Sequence, residues 1–306
     1  MKVDLTKIKT ESQNELTKNI DLLDTIDIVS LINEEDKKVA YAVEKEKEKI
    51  AKLIDAVVDV FNNGGRLIYM GAGTSGRVGI IDAVECRPTF GVSDDMVYCL
   101  MAWGINAFVK EVEGAEDNKE LAINDLKNVK LSCNDIVIGI AASGRTPYVV
   151  GGIEYANKIG AKTGAIVTSP NSLLAGIVSF PVEVIVGSEV ITGSTRMKSG
   201  TAQKMVCNMI TTTAMIKLGK VYGNLMIDVM PTNEKLKSRA INILITASGI
   251  NEEEAHKKLE KFGTVKKALF SILSGIDDVN KVEDILNKNK GHIRKALEEV
   301  KGEWNG

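Results

Sequence analysis

The stretch Leu67-Ile-Tyr-Met-Gly-Ala-Gly-Thr-Ser-Gly-Arg77 decides the fold that we expect. Its apolar start predicts a buried strand, and the glycines and hydroxyl residues after it predict a turn into a helix. Four later apolar runs, each bounded by turn residues, lie at residues 96–100, 136–140, 165–167 and 182–186. Most of these runs are separated by segments with a helical pattern. This alternation predicts an α/β fold with a doubly wound parallel sheet and helices on both faces.

Helical segments are predicted on either side of the sheet. Asn33, with an acidic run after it, predicts the start of a helix that continues to residue 61 and ends at Gly64-Gly65. Beyond Gly249 the pattern predicts short amphipathic helices at residues 252–262, 265–273, 282–287 and 292–300. We therefore expect an N-terminal helical segment over residues 1–50, a sheet domain over 51–245 and a small helical domain over 246–306.

The composition is that of an ordinary globular protein. The chain has 306 residues, of which 44% are hydrophobic, and a formal net charge of -2. It contains no basic patch of the nucleic-acid-binding type and no uncharged apolar stretch of about 18 residues. We expect a cytoplasmic protein that binds neither nucleic acid nor a membrane.

The cysteines and histidines argue against metal and thiol chemistry. The 4 cysteines, at positions 86, 99, 133 and 207, form no Cys-x-x-Cys pair, so neither a zinc site nor a disulfide framework is predicted. Cys86 adjoins a candidate site residue, but a nucleophilic cysteine needs a nearby histidine. The 2 histidines, His256 and His292, lie far along the chain and have no partner in the sequence.

Three predicted turns from strand to helix share a chemistry. They are Gly71-Ala-Gly-Thr-Ser-Gly-Arg77, Ala141-Ala-Ser-Gly-Arg-Thr-Pro147 and Thr192-Gly-Ser-Thr-Arg-Met-Lys-Ser-Gly-Thr201. All offer hydroxyl groups at the carboxyl ends of strands, where a helix N-terminus attracts phosphate. The candidate phosphate-binding residues are Thr74, Ser75, Gly76, Ser143, Gly144, Arg145, Thr146, Ser194, Thr195 and Lys198. A serine or threonine at such a position is as often a simple helix cap, and Arg77 and Arg145 either clamp phosphate or pair with a surface carboxylate.

The first turn resembles two nucleotide-binding motifs but lacks residues that each of them requires. The turn fits Gly-x-Gly-x-x-Gly, yet no acidic residue follows the second predicted strand to hold a ribose. A P-loop requires lysine and then serine or threonine where Arg77 and Val78 stand. The sequence therefore favours a smaller phosphorylated ligand than a nucleotide.

Glu85 and Glu116 are the candidate acid/base residues. Ile80, Ile81 and Val84 predict a buried helix around Glu85, and Pro88 is expected to end it. A carboxylate in such a place requires a function. Spacing alone leaves four competitors open, namely Asp82, Glu111, Glu113 and Asp117.

Six motifs together resemble one family. They are the first turn, Asp82-Ala-Val-Glu-Cys-Arg-Pro-Thr-Phe-Gly91, Val112-Glu-Gly-Ala-Glu-Asp117, Gly139-Ile-Ala-Ala-Ser-Gly-Arg-Thr-Pro-Tyr-Val149, Thr192-Gly-Ser-Thr-Arg-Met-Lys198 and Asn224-Leu-Met-Ile-Asp-Val229. In this order they closely resemble the N-acetylmuramic acid 6-phosphate etherases of the sugar isomerase (SIS) superfamily. The likeness extends from about Thr10 to Arg239. It implies a flavodoxin-like SIS sugar-phosphate domain and a UBA-like C-terminal domain.

The resemblance also implies an activity. Members of the family are cofactor-free lyases of muropeptide recycling, and they form cytoplasmic homodimers with sites near the subunit interface. They cleave the lactyl ether of N-acetylmuramic acid 6-phosphate to give N-acetylglucosamine 6-phosphate and D-lactate. Their proton donor matches Glu85 and their second essential carboxylate matches Glu116. Two alternatives stay open: a regulatory SIS protein that senses a hexose phosphate, and an aldose-ketose isomerase.

The sequence departs from the family at two positions. The family usually has proline where Arg87 stands and glycine where Trp103 stands. An arginine paired with Glu85 would favour the ionised carboxylate and weaken a proton donor. We therefore expect Arg87 to point outward or to contact substrate anions.

Overall fold

The computed structural model describes residues 12–110, 114–229 and 234–304. The chain divides into two compact units, one formed by Met1–Val84 with Asp95–Thr211 and the other by Glu85–Asp94 with Thr212–Gly306. The domain boundaries near residues 50 and 245 stay predictions.

A parallel sheet of five strands forms the centre of the first unit. The strands are β1 (Leu67–Gly71), β2 (Val97–Met101), β3 (Ile136–Ala141), β4 (Lys162–Val167) and β5 (Phe180–Glu183). Their order is β2-β1-β3-β4-β5, and every neighbouring pair is parallel. This is the flavodoxin-like doubly wound order, whose ligand crevice lies at the carboxyl ends of the strands. The predicted fold class is confirmed.

Helices precede the sheet and connect its strands. They are α1 (Thr25–Lys45), α2 (Lys47–Asn62), α3 (Gly73–Phe90), α4 (Asn106–Val109), α5 (Lys119–Asn128), α6 (Pro147–Ile159), α7 (Leu173–Ile177) and α8 (Lys198–Lys217). Short 3-10 turns lie at Glu15–Thr17, Ile20–Leu22 and Ala115–Asp117. Strands β1 and β3 are buried along their whole length, as expected for central strands covered on both faces.

The N-terminal helix prediction is wrong at its start. Helix α1 begins at Thr25, so Asn33 lies in its interior and does not cap it. The predicted single helix is two helices, because the backbone leaves helical geometry at Glu46. The acidic run after Asn33 has another role, since Glu35 is buried and ion-paired. The predicted stop at Gly64 is confirmed by its φ of +76°.

The second unit is mainly helical. It contains α9 (Glu234–Ser248), α10 (Glu252–Phe262), α11 (Val265–Ser274), α12 (Val279–Lys288) and α13 (Ile293–Trp304). The four predicted C-terminal helices, α10 to α13, are confirmed with ends shifted by up to a few residues. A hairpin of β6 (Val221–Tyr222) and β7 (Leu225–Met226) was not predicted. In the parts of the chain that the structure describes, no helix has the length and apolarity needed to cross a membrane.

Candidate functional site

The first predicted turn forms the N-terminus of helix α3. The helix begins at Gly73, two residues after strand β1 ends, so Thr74, Ser75 and Gly76 all lie in its first turn. A Cβ atom at Gly71 would lie 2.6 Å from the backbone nitrogen of Gly76, which shows how tightly the chain turns. Backbone N–H groups at the start of a helix lack intrahelical acceptors, and here the Gly76 N–H is the first to find one, in the carbonyl oxygen of Ala72 at 3.2 Å. They therefore offer an anion several donors at the carboxyl end of β1.

Arg77 secures a neighbouring loop. Its guanidinium donates hydrogen bonds of 2.9 Å to the carbonyl oxygens of Phe108 and Ala107, both in helix α4. These contacts fit neither of the two roles considered from the sequence, a phosphate clamp or a partner of a surface carboxylate. Arg77 instead holds the segment that follows strand β2.

The second turn lies between strand β3 and helix α6. Gly144 adopts a φ of +62°, and a Cβ atom there would lie 2.4 Å from Ser172 Oγ, so the turn requires glycine. Ser143 Oγ accepts a hydrogen bond from the Arg145 backbone nitrogen at 3.3 Å. Thr146 occupies the N-cap position of α6, but its side chain makes no capping hydrogen bond. Ser143 and Thr146 are half-buried, whereas Arg145 is exposed.

The third turn is held by a buried carboxylate. Glu189 is 0% exposed and accepts hydrogen bonds of 2.9 Å from the backbone nitrogens of Lys198 and Ser199, the first residues of helix α8. A remote glutamate thus caps the helix, a role that the sequence did not reveal because caps are normally adjacent. Ser194 and Thr195, which precede the helix, are half-buried.

Lys198 is directed into the protein. Its Nζ atom lies 2.6 Å from Glu35 Oε2, and the two side chains are 2% and 3% exposed. Asn14 Nδ2 also donates to Glu35 at 3.0 Å. Burial raises the pKa of the Glu35 carboxyl, but Lys198 and Lys38 outweigh it and leave the pKa below its usual value. Direct binding of phosphate by Lys198, as predicted, would require this ion pair to separate.

Side chains from outside the predicted motifs join the three turns. Ser75 Oγ donates to Gln203 Oε1 at 3.0 Å and so links the first turn with helix α8. Thr168 Oγ1 lies 3.1 Å from the carbonyl oxygen of Ala142 and 2.9 Å from Ser199 Oγ, which links the second turn with α8. The three turns therefore meet at the carboxyl edge of the sheet. Neither residue stands out in the sequence, because Thr168 lies in a loop outside the three predicted turns and Gln203 lies within helix α8.

Glu85 and Glu116 are both exposed. Glu85 belongs to the second compact unit and Glu116 to the first, in the 3-10 turn Ala115–Asp117. The prediction of a buried helix around Glu85 is wrong, since Ile81 is 51% and Val84 is 61% exposed.

Helix α3 extends beyond Pro88, and two of the competing carboxylates can be placed in the structure. The prediction that Pro88 ends the helix is wrong, because α3 continues through it to Phe90. Among the competing carboxylates, Asp117 is exposed, while Glu111 and Glu113 lie outside the described residues.

The buried side chain of Asp82 connects elements of the first unit through hydrogen bonds. It is 5% exposed and accepts hydrogen bonds from Asn208 Nδ2 at 2.6 Å, Thr211 Oγ1 at 3.1 Å and the Tyr69 hydroxyl at 3.2 Å. Burial raises the pKa of its carboxyl against the opposing effect of these donors. The contacts tie helix α3 to helix α8 and strand β1, so the Asp82 carboxylate is occupied inside the unit.

The two departures from the family pattern have distinct structural outcomes. Arg87 forms an ion pair with Asp94, and the side chains are 54% and 68% exposed, so the predicted outward direction is confirmed. Trp103 adopts a φ of +66°, in the left-handed region that favours glycine. This geometry explains why glycine suits the position, which follows strand β2.

None of the 4 cysteines, all of which lie in the described residues, forms a disulfide bond. Burial raises the pKa of the Cys99 and Cys207 thiols above the usual value, which disfavours the reactive thiolate. Cys86 is buried as well.

The chain is similar in sequence to a family model and to curated proteins. Residues 49–157 match the family model described as the glucokinase regulatory protein N-terminal SIS domain. The chain is 54% identical over 299 residues to N-acetylmuramic acid 6-phosphate etherase from Clostridium botulinum strain Hall, covering 97% of this chain and 99% of that protein. It is 50% identical to the protein of the same name from Clostridioides difficile strain 630, covering 97% of each. Among solved structures, phosphoheptose isomerase from Neisseria gonorrhoeae is similar with a TM-score of 0.49 and 12% identity, covering 62% of this chain and 98% of that one.

The matching family model shows that the chain contains an SIS-type domain, and the sheet order fits that fold class. The relatives are similar over nearly their whole length, well beyond the SIS domain alone. The chain belongs to the N-acetylmuramic acid 6-phosphate etherase family and is an enzyme of the carbon-oxygen lyase class.

Proposed function

We propose that the chain cleaves the D-lactyl ether at C3 of N-acetylmuramic acid 6-phosphate, giving N-acetylglucosamine 6-phosphate and D-lactate. The observation that carries the proposal is the 54% identity to an etherase over 97% of the chain. The joined hydroxyl-bearing turns at the carboxyl edge of the sheet support it, because they suit a phosphate monoester.

The first half of the proposed reaction is a β-elimination. In the open-chain sugar, the C1 aldehyde acidifies the proton on C2, which a carboxylate removes as a general base. The electron pair forms the C2–C3 double bond, and the C3–O bond to the lactyl group breaks. A protonated carboxylic acid donates a proton to the departing oxygen, which leaves as the hydroxyl group of D-lactate.

The second half restores the sugar. Water adds at C3 of the unsaturated aldehyde, C2 regains a proton, and the product is N-acetylglucosamine 6-phosphate. The net reaction consumes one water molecule and exchanges the C3–O bond to lactate for a C3–O bond to that water. It involves no net oxidation or reduction, so the protein side chains need only transfer protons. We assign the proton for the lactyl oxygen to Glu85 and the acid/base work at C2 to Glu116. The family resemblance supports both assignments, and the ion pair of Arg87 with Asp94 removes one obstacle to the first.

Phosphate binding is assigned to the turns. The candidate donors are Thr74 and Ser75 in the first turn of α3, and Ser143 and Thr146 in the second turn. The N–H groups of Gly76 and Gly144 already donate to the carbonyl oxygens of Ala72 and Ala141, both at 3.2 Å, so we assign these glycines the role of shaping the turns. Arg145, Ser194 and Thr195 are further candidates, since they lie at the edges of the same turns. We assign Lys198 a positioning role, because its ammonium group is paired with Glu35.

The proposal includes a cytoplasmic homodimer with its sites near the subunit interface. The exposed apolar side chains Ile81 and Val84, next to Glu85 in sequence, support an interface in this region. Light scattering after gel filtration is expected to give twice the chain mass of 33.1 kDa. A mass of a single chain at micromolar concentration would contradict this part of the proposal.

One assay separates the proposed activity from the alternatives. Purified protein is incubated with N-acetylmuramic acid 6-phosphate, and D-lactate is measured enzymatically. We expect lactate in amounts equal to N-acetylglucosamine 6-phosphate. Ketose formation from glucosamine 6-phosphate without lactate release would indicate an isomerase instead. Tight binding of a hexose phosphate without turnover of either substrate would indicate a regulatory protein.

A further inference from the structure

A buried glutamine beside the first turn has an unpaired polar atom. Gln203, on helix α8, is 1% exposed, and its Oε1 atom accepts the hydrogen bond from Ser75. Its Nε2 atom has no hydrogen-bond partner within residues 12–110, 114–229 and 234–304. Buried amide donors without partners are rare in proteins and require an explanation.

The Ser75 hydroxyl has only one proton to give. A serine side chain is one donor and accepts through its lone pairs. In the observed arrangement that proton is directed to Gln203 Oε1 at 3.0 Å, so it is not available to a ligand. The backbone N–H groups at the start of α3 attract an anion to the place where Ser75 lies. The internal bond and a phosphate would therefore compete for the same proton.

A rotation of the Gln203 amide group would release the Ser75 hydroxyl proton to the phosphate. The two ends of a glutamine amide have nearly the same shape, and its last side-chain torsion is broad and roughly two-fold. A half turn about that torsion exchanges Oε1 and Nε2. In the turned form Nε2 donates to Ser75 Oγ, and the hydroxyl proton is free for the ligand.

We propose that Gln203 is a positioning residue of the phosphate site, whose amide orientation decides whether the Ser75 hydroxyl donates within the protein or to the phosphate of the substrate. The inference rests on the proposed function, because it assumes a phosphorylated ligand at the first turn. Gln203 acts through Ser75 and does not itself contact the reacting atoms.

Two substitutions of Gln203 separate this role from a merely structural one. Gln203→Glu keeps the shape but only accepts when ionised, so it retains the Ser75 proton. Gln203→Met removes the acceptor and leaves that proton free. Affinity for N-acetylglucosamine 6-phosphate and for inorganic phosphate is measured calorimetrically, and folding is checked by thermal unfolding. We expect Gln203→Glu to bind at least about tenfold more weakly than Gln203→Met, the loss expected for one hydrogen bond to a charged group.

The same pair of variants in a Ser75→Ala background provides the control. Repulsion between a glutamate at position 203 and the phosphate persists without the hydroxyl, so any difference that remains measures charge alone. We expect the difference between the two variants to shrink by about tenfold when Ser75 is absent. An equal difference in both backgrounds, or a loss in Gln203→Met as large as in Gln203→Glu, would refute the proposal.

A spectroscopic measurement on the unaltered side chain covers the case in which a variant does not fold. The side-chain amide signals of Gln203 are followed in nitrogen-15 spectra while phosphate is added. We expect one amide proton to shift downfield as it bonds Ser75 Oγ, and no such shift in Ser75→Ala. Unchanged amide signals at saturating phosphate would overturn the inference, even if lactate release confirms the etherase. A wild-type protein that binds neither probe would overturn both proposals, whereas coupled phosphate binding without lactate release would contradict only the activity.

Discussion

Lys198 Nζ lies 2.6 Å from Glu35 Oε2, and this buried ion pair connects helix α1 with the first residue of helix α8. Removing Lys198 takes the buried partner from the Glu35 carboxylate, which keeps Asn14 and the more exposed Lys38 as partners. We expect Lys198→Met to lower the free energy of unfolding by about 3 kcal/mol, the lower end of the range for a broken buried pair, measured by urea denaturation.

Lys38→Met is the matched control, because Lys38 pairs with the same Glu35 but is 51% exposed. Its loss is expected to be at most about 1 kcal/mol. Replacing both Glu35 and Lys198 by methionine is expected to recover part of the loss. Equal losses for the two lysine variants would show that the buried pair does not stabilise the protein in this way.

The Glu35–Lys198 pair also shows why the fold was easier to predict than the site. Strands β1 to β5 were predicted to within a few residues of their observed bounds, because buried runs between turns are local signals. The partner of Lys198 lies 163 residues away along the chain. No local pattern identifies this partner, and a lysine beside a hydroxyl-rich turn has the sequence pattern of a phosphate ligand.

The other omissions have the same physical origin. Glu189 caps α8 from nine and ten residues upstream, and Gln203 faces Ser75 across 128 residues. The prediction that the helix around Glu85 is buried is wrong for a related reason. Apolar residues at helical spacing indicate that a helix has an apolar face, but they do not show whether another part of the chain covers that face. Ile81 and Val84 belong to an apolar face of this kind, and both side chains are exposed in the single chain.

The roles of the two glutamates are tested by kinetics. Glu85→Gln and Glu116→Gln are expected to lower kcat for lactate release by about 10²–10⁴-fold, the usual contribution of a general acid or base. Affinity for N-acetylglucosamine 6-phosphate, measured calorimetrically, is expected to change far less. Glu120→Gln, an exposed change near the start of helix α5, serves as the control and should leave kcat unaltered. Full activity in Glu85→Gln would remove Glu85 from the mechanism.

Asp135 is expected to make the free energy of unfolding depend on pH. Its carboxylate accepts from Arg66 Nη2 at 2.9 Å and from the Ser132 backbone nitrogen at 2.9 Å. Burial alone would raise the pKa of Asp135, but these donors reverse the effect and lower it. A lowered folded-state pKa stabilises the protein above the unfolded value of about 3.9, and this contribution disappears as pH falls through the folded value.

Asp135→Asn is therefore expected to reduce the free energy of unfolding at pH 7 and to flatten its decline below about pH 4. Urea denaturation at a series of pH values measures both effects. Asp59→Asn is the control, since Asp59 pairs with Lys162 at an exposed position. An undiminished acid dependence in Asp135→Asn would assign that dependence to other groups.

Trp103 is predicted to reverse the usual preference for alanine over glycine. Because its φ is +66°, any side chain with a Cβ is strained there. We expect Trp103→Gly to be more stable than Trp103→Ala by about 1 kcal/mol. The comparison uses two small residues, so the loss of the indole ring is common to both.

Ile105 provides the contrasting position two residues later. It is 69% exposed, but its φ of -63° suits any L residue. Ile105→Ala is therefore expected to be more stable than Ile105→Gly by up to about 1 kcal/mol. Thermal unfolding of the four variants measures both differences. The same sign at both positions would contradict a left-handed backbone at Trp103.

Gly144 tests whether the second turn must stay as tight as the structure shows. A Cβ atom there would lie 2.4 Å from both Cβ and Oγ of Ser172, whose side chain caps helix α7 by accepting from the Ala175 nitrogen at 3.1 Å. Gly144→Ala combines this overlap with a φ of +62°. We expect a loss of about 2–4 kcal/mol in urea denaturation, the sum of left-handed strain and overpacking.

Gly176→Ala is the matched control within the same region. Gly176 lies in helix α7, and a Cβ atom there would meet no atom within 4 Å. Because alanine favours a helix, this variant is expected to gain up to about 1 kcal/mol. If the second turn binds phosphate, Gly144→Ala should also weaken calorimetric binding of N-acetylglucosamine 6-phosphate, whereas Gly176→Ala should not. Unchanged affinity in a folded Gly144→Ala protein would place the phosphate elsewhere, because the overlap with Ser172 is expected to shift the turn that carries Ser143 and Thr146.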